Sequence, residues 1–132
     1  VVLKEGGEYA LVQYNERYLV VGVGRVADLS TMLNTELEVV RTFVSDLLRG
    51  AKLQHPLIPS LQVPLITDPS VGVSEGTACL HCAPGCGPID YEIAVKNDIA
   101  IYSPITPDGK YIISGSVDKT IKIWGYRRMT RM

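Results

Sequence analysis

Turn-forming residues interrupt this chain at short intervals and leave little room for long helices. Asn15 and Glu16 separate two apolar runs, residues 9–14 and 17–23, so the sequence predicts a β-hairpin there. Pro56, Pro59 and Pro64 exclude a long helix in the middle of the chain. The pattern therefore favours many short strands joined by tight turns, including strands over residues 71–73 and 99–103 and a hairpin turn at Asp108-Gly109.

Two helices are predicted among these strands, over residues 28–34 and 89–97. Residues 36–48 fit both a strand and a helix, and we expect a strand to Phe43 followed by a short turn of helix. The predicted fold class is mixed α/β and mostly β, with a curved or barrel-like sheet rather than a doubly wound one. The length of 132 residues predicts one domain over residues 1–132.

The charge balance argues against strong binding of nucleic acid by this chain alone. It has 13 basic and 14 acidic residues, a net charge of −1. No large basic face is therefore expected. If the chain acts on RNA, we expect most of the affinity to come from outside it.

The cysteines and the apolar runs indicate the compartment. Cys79, Cys82 and Cys86 are an odd number in one short stretch, which is not typical of a disulfide framework and indicates a reducing, cytoplasmic setting. The longest apolar stretch, near residues 18–23, is too short to cross a membrane. Because the chain begins with Val1 and has no charged-then-apolar leader, we expect a processed or excised segment.

The most informative stretch reads EGTACLHCAPGCGPIDY, residues 75–91. It predicts a strand that ends near His81, a loop rich in glycine and proline, and a carboxylate, Asp90, at the start of a helix. Glycines let the backbone approach a ligand closely, and a helix N-terminus favours an ionised carboxylate. We therefore expect His81 and Asp90 to face one pocket.

This stretch resembles the GTG-x-VH-T-AP-x-HG-x-x-DY signature of isoleucyl-tRNA synthetase editing domains. Three further stretches resemble the family in the same order: EYALVQYNERYLV, HPLIPSLQVPLI and YSPITPDGKY. The likeness covers roughly residues 1–111. The positions that match the signature are Gly76, Thr77, His81, Ala83, Pro84, Gly87, Asp90 and Tyr91.

The resemblance implies a barrel-like editing domain of the valyl-, leucyl- and isoleucyl-tRNA synthetase type, which hydrolyses mischarged Val-tRNA(Ile). Asp90 would bind the α-ammonium of valine, and His81 would line the side-chain pocket and help to hold the ester. The other six matching residues would contact the substrate. The implied partners are the 3′ end of tRNA(Ile), the mischarged valine and the remainder of the synthetase, with no membrane.

No cofactor is expected in this domain, because ATP serves the activation domain of such enzymes. The HIGH and KMSKS activation motifs do not occur in the sequence. The family's threonine-rich strand, which is expected just upstream of Val1, is also outside the sequence, so we expect weak or no editing by the chain alone. Cys82, Cys86 and Ile89 differ from the family's usual Thr, His and acidic residue.

Metal binding is the main alternative for the cysteine-rich stretch. Cys79, His81, Cys82 and Cys86 form a C-x-H-C-x3-C pattern, but zinc sites usually join two ligand pairs from separate segments. Strand alternation also turns His81 and Cys82 to opposite faces. We therefore predict no metal site. Cys82 or Cys86 as a nucleophile beside His81 is a further alternative, and buried or incidental thiols are favoured over it.

A competing interpretation applies to the C-terminal stretch. Residues 103–124, SPITPDGKYIISGSVDKTIKIW, resemble part of a WD40 repeat, which would make the chain a non-catalytic interaction module. A blade needs about 40–45 residues and a propeller several blades, whereas this sequence has one Trp and no second copy. Residues 112–132 are therefore interpreted as strands that complete the editing domain, or as an unrelated terminal addition.

Overall fold

The computed structural model describes residues 1–101, 111–115 and 121–125. The chain divides into two compact units, residues 1–82 and residues 83–132. A single domain over residues 1–132 stays a prediction.

The first unit contains eight strands and one α-helix among its residues, all of which are described. Val23–Arg25 and Ser45–Leu48 form 3-10 turns. The α-helix α1 is Val26–Met32. The strands are β1 Val2–Lys4, β2 Glu8–Tyr14, β3 Arg17–Gly22, β4 Glu38–Val44, β5 Lys52–Gln54, β6 Gln62–Pro64, β7 Ile66–Asp68 and β8 Cys79–Leu80.

Strand β2 lies at the centre of an antiparallel sheet ordered β3-β2-β4. The predicted hairpin is confirmed, because Tyr14 pairs with Arg17 around Asn15 and Glu16. Asn15 has a φ of 53°, a left-handed conformation that asparagine tolerates better than most residues. The prediction for residues 36–48 is also confirmed, since β4 is followed directly by a 3-10 turn.

The core lies on both faces of β2, because successive side chains of a strand point to opposite sides. Tyr9 belongs to a buried cluster with Leu3, Leu65 and Ala78. On the other face, Ala10 and Val12 pack with Val21 and Leu37. Both faces of this one strand thus contribute buried residues to the core.

A second sheet is ordered β7-β1-β8, with β1 parallel to β7 and antiparallel to β8. No strand was predicted at β1, since three residues carry almost no periodicity. Strands β5 and β6 pair separately.

The predicted strand over residues 71–73 is wrong. After β7, Asp68 Oδ1 accepts hydrogen bonds from the backbone N–H and the hydroxyl of Ser70, at 2.9 and 2.6 Å. The N–H of Val71 then bonds to the carbonyl of Asp68. This turn uses the backbone groups that a strand would need.

The second unit contains helix α2, Pro88–Lys96, and the antiparallel strands β9, Tyr111–Gly115, and β10, Ile121–Gly125. The predicted helix is confirmed, and Ile93 and Ala94 are its buried residues, whereas Tyr91 and Val95 are exposed. The predicted strand beginning at Ile99 is wrong, and the C-terminal end of α2 explains why. The N–H of Ile99 bonds to the carbonyl of Ala94 at 2.9 Å, and this closing turn leaves residues 99–101 without strand structure.

The mostly β class with a few helices is confirmed. In residues 1–101, 111–115 and 121–125 the strands form four separate sheets, and a barrel-like closure stays a prediction. The predicted turn at Asp108-Gly109 and the basic tail from Arg127 lie outside the described residues, as does much of the WD40-like stretch. No helix in the described part of the chain is long and apolar enough to cross a membrane.

Candidate functional site

The first part of the predicted site is the turn formed by residues 75–78, here called the GT loop. The N–H of Ala78 bonds to the carbonyl of Glu75 at 3.0 Å and closes the turn. Gly76 and Ala78 both have left-handed backbones, with φ of 52° and 61°. Gly76 and Thr77 are exposed, so the turn presents two of the predicted substrate-binding residues to solvent.

The GT loop is attached to the first hairpin through its carbonyl groups. The Gly76 carbonyl accepts from Arg25 Nε at 3.0 Å, and the Thr77 carbonyl accepts from the Gly22 N–H at 2.9 Å. The Ala78 carbonyl accepts from the Tyr9 hydroxyl at 2.7 Å. The three anchoring residues, Tyr9, Gly22 and Arg25, were not predicted from the sequence, because none has a motif of its own. The one signal that could have found any of them is the strand alternation that turns Tyr9 inward.

Tyr9 is fully buried and its hydroxyl has two partners. It donates to the Ala78 carbonyl and accepts the Lys4 backbone N–H at 2.9 Å. Burial raises the pKa of this hydroxyl above its ordinary value, against a smaller opposite effect of the Lys4 hydrogen bond. The neutral hydroxyl that can donate is therefore the favoured form.

His81 directly follows β8, whose Leu80 pairs with Val2 of β1. Its side chain is exposed. A strand end held by a ladder of backbone hydrogen bonds is a rigid support for a side chain at this position.

Cys79, in the same strand, is partly buried against the core. Its Sγ lies 3.5 Å from the Val20 carbonyl, and it packs against the cluster that contains Tyr9. Burial raises the pKa of the Cys79 thiol. A thiol kept protonated is a poor nucleophile.

The second unit contains the carboxylate. Asp90 is the third residue of α2, which begins at Pro88 after the extended Gly87. The backbone N–H of Ala83 donates to Asp90 Oδ1 at 3.2 Å. The loop and the first helical turn thus hold Asp90 in one orientation.

Gly87 permits this arrangement through its lack of a side chain. A Cβ built at Gly87 would lie 2.7 Å from Asp90 Oδ2, which is below van der Waals contact. The N–H of Tyr91 bonds to the Gly87 carbonyl at 2.9 Å, so the glycine also begins the helical hydrogen bonding.

Pro88 and Tyr91, close to Asp90 in the chain, line a shallow hollow of about 430 Å³ that opens to solvent. Tyr91, which is 51% exposed, contributes to its wall. Its lining residues are Pro84, Gly85, Cys86, Gly87, Pro88, Tyr91 and Ile101. The second unit therefore brings together five of the predicted residues, Ala83, Pro84, Gly87, Asp90 and Tyr91. The first unit contains the other three, Gly76, Thr77 and His81.

In the described residues, no three His, Cys, Asp or Glu side chains are grouped so that they could hold a metal ion. Cys79, Cys82 and Cys86, all of them described, form no disulfide.

Known proteins resemble this chain over most of its length. No family model matches it. The isoleucine–tRNA ligase of Lawsonia intracellularis is 33% identical over 113 residues, which are 85% of this chain and 12% of the ligase. The ligase of Fervidobacterium pennivorans is 30% identical over 116 residues, 88% of this chain and 13% of the ligase.

The fold has a counterpart among solved structures. The crystal structure of GlLeuRS-CP1, from a leucyl-tRNA synthetase, superposes with a TM-score of 0.60. The match covers 73% of this chain and 38% of that chain at 21% identity. This chain is a homologue of the isoleucine–tRNA ligases and has the CP1 editing-domain fold.

The synthetase homology extends to a third relative, the ligase of Desulfitobacterium hafniense, at 31% identity over 93% of this chain and 13% of the ligase. The chain thus spans about an eighth of the length of the curated ligases that it matches. The synthetase resemblance of the sequence is confirmed.

Proposed function

We propose that this chain acts as an editing domain of an isoleucine–tRNA ligase and hydrolyses Val-tRNA(Ile). The observation that carries the proposal is the carboxylate of Asp90, which the Ala83 N–H holds in a loop that also lines an open hollow, in a chain homologous to these ligases. A small α-ammonium group is the natural partner of such a carboxylate, since a charge-assisted hydrogen bond is stronger than a neutral one. Asp90 thereby selects an aminoacyl group.

The proposed reaction needs only water as co-reactant. Water attacks the carbonyl carbon of the ester, the bond to the ribose oxygen breaks, and that oxygen takes a proton. The products are valine and intact tRNA. Because the ester is already labile, the residues serve mainly to orient it. His81 lines the pocket for the aliphatic side chain and helps to hold the ester, while Gly76 and Thr77 contact the substrate.

The charge of the chain fits a domain that works inside a larger enzyme. With a net charge of −1 it offers little attraction to phosphates, so tRNA(Ile) would be held mainly by the rest of the synthetase. We accordingly expect slow or absent editing by the 132-residue chain alone. ATP would serve the activation domain, and the site of action would be the cytoplasm.

The test compares deacylation of Val-tRNA(Ile) and Ile-tRNA(Ile) by the complete synthetase. Asp90→Ala should lower valyl deacylation roughly tenfold to a hundredfold, as expected for losing a hydrogen bond to a charged group. Glu92→Ala is the matched control, because it removes an exposed carboxylate from the same helix. Isoleucine-dependent ATP–pyrophosphate exchange should not change. Valyl deacylation that is equal in both variants would contradict the role of Asp90.

A further inference from the structure

Three consecutive carbonyl groups of the GT loop are held by donors from one neighbouring segment, residues 9–25. Two of these donors, the Gly22 N–H and the Tyr9 hydroxyl, are neutral and belong to buried residues. The third is the charged guanidinium of Arg25, whose Nε bonds to the Gly76 carbonyl at 3.0 Å. A hydrogen bond from a charged donor is stronger than one between neutral groups.

Arg25 is itself fixed. Its Nη1 forms an ion pair with the Asp28 carboxylate, one turn later in the chain. The Arg25 side chain is only 15% exposed, so little water competes for its hydrogen bonds. The guanidinium therefore joins the start of α1 to the backbone of the GT loop.

The loop depends on such contacts because its conformation is unfavourable by itself. Ala78 has a φ of 61°, and the left-handed region costs free energy for any residue with a Cβ. Strained backbone persists only where surrounding contacts determine it, and such strain is concentrated at functional sites. Gly76, at φ 52°, lies at the other end of the same turn.

We infer that Arg25 is a positioning residue of the editing site. It holds the GT loop in the conformation in which Gly76 and Thr77 meet the aminoacyl group, and it acts through the Gly76 carbonyl without touching the substrate. This inference rests on the proposed function, because it requires Gly76 and Thr77 to contact the substrate.

The first experiment measures Val-tRNA(Ile) deacylation by the complete synthetase. Arg25→Ala should lower kcat roughly tenfold, as expected when a substrate-orienting group loses its support. KM should stay within about twofold of the wild-type value, since phosphate contacts elsewhere dominate tRNA affinity. Arg25→Lys keeps a charged donor and should recover part of kcat. Arg41→Ala is the control, because it removes an exposed arginine from β4.

The second experiment measures amide hydrogen exchange in the 132-residue chain. In Arg25→Ala the N–H of Ala78, which closes the GT loop, should exchange at least about tenfold faster, while the amides of β2 keep their protection. General destabilisation of the unit would instead accelerate hydrogen exchange both at Ala78 and in β2. That pattern would overturn the inference, because Arg25 would then support the whole unit and not the loop.

The two proposals fail in different ways. Wild-type synthetase that leaves Val-tRNA(Ile) intact overturns the proposed function, and the exchange experiment then still decides whether Arg25 holds the loop. Wild-type synthetase that edits, with Arg25→Ala as active as Arg41→Ala, overturns the positioning role alone.

Discussion

The backbone N–H of Ala83 donates a hydrogen bond to Asp90 Oδ1 at 3.2 Å. This bond closes the loop of residues 83–90 onto the first turn of α2 and orients the carboxylate. A backbone donor is fixed by the fold itself, so the orientation does not depend on another flexible side chain. Both residues match the synthetase signature, and their contact gives that spacing a physical reason.

The contact between Gly87 and Asp90 predicts an effect of adding a single methyl group. Gly87→Ala would place a Cβ 2.7 Å from Asp90 Oδ2 and force the carboxylate to move. Deacylation of Val-tRNA(Ile) should fall roughly tenfold to a hundredfold, since small misplacements of orienting groups are costly. Gly72→Ala, where a Cβ meets nothing within 4 Å, is the control. Equal rates for the two variants would show that the carboxylate position is unimportant.

The close packing of Gly22 against the GT loop predicts a loss of stability. Gly22→Ala would place a Cβ 2.7 Å from the Ala78 Cβ, and a backbone hydrogen bond fixes the two segments together. The free energy of unfolding, measured by urea denaturation, should fall by about 1–3 kcal/mol, as for overpacked cores. Gly24→Ala has open space at its Cβ and should change little. An unchanged free energy of unfolding in Gly22→Ala would mean that the GT loop shifts without loss of stability.

The buried hydroxyl of Tyr9 predicts a second effect on stability. Tyr9→Phe leaves the Lys4 N–H and the Ala78 carbonyl without this partner. Leaving buried polar groups unpaired costs about 1–3 kcal/mol. Tyr18→Phe is the control, because Tyr18 is exposed. Equal unfolding free energies for the two variants would contradict the structural role of the hydroxyl.

The same hydroxyl predicts how stability depends on pH. Burial raises the pKa of Tyr9 above its ordinary value of 10.0, so the folded state holds this proton more tightly than the unfolded chain. The contribution of the protonated Tyr9 hydroxyl to the free energy of unfolding is complete below pH 10.0. It is lost as the pH rises through the folded-state pKa. Unfolding free energies of wild type and Tyr9→Phe, measured from pH 8 to about pH 11, should therefore converge at the alkaline end. A constant difference would contradict the raised pKa.

The environments of the cysteines predict unequal reactivity. Cys79 is partly buried with a pKa raised above its ordinary value of 9.0, whereas Cys86 is exposed. Because the thiolate is the reacting species, iodoacetamide should alkylate Cys86 well before Cys79. Mass spectrometry of digested protein would follow each site, with Cys86→Ser identifying its signal. Alkylation of Cys79 at the rate of Cys86 would contradict its burial.

The sequence predicted elements best where long local patterns specify them. The hairpin around Asn15, the strand that precedes Ser45 and the helix that contains Asp90 were all predicted from alternation, turn residues or a helix start. Short elements were missed, since the three residues of β1 provide no period. The strands predicted near Val71 and Ile99 were wrong, because turns closed by Asp68 and Ala94 use the backbone groups there.

Of the candidate site, the signature residues were predicted from the sequence, and their shared role in catalysis stays a prediction. The anchors Tyr9, Gly22 and Arg25 were not predicted, because each lies more than 50 positions from its partner in the GT loop. No local pattern records such distant pairs.

By itself, the sequence determined the mostly β class, the synthetase resemblance and the order of the motif, because these depend on residue types and short spacings. Only the tertiary structure decided which donors hold the carbonyls of the GT loop and how closely Gly87 approaches Asp90. The physical reason is that a hydrogen bond or a close contact is made or lost when the distance between two segments changes by a few tenths of an ångström. The folded core sets those distances.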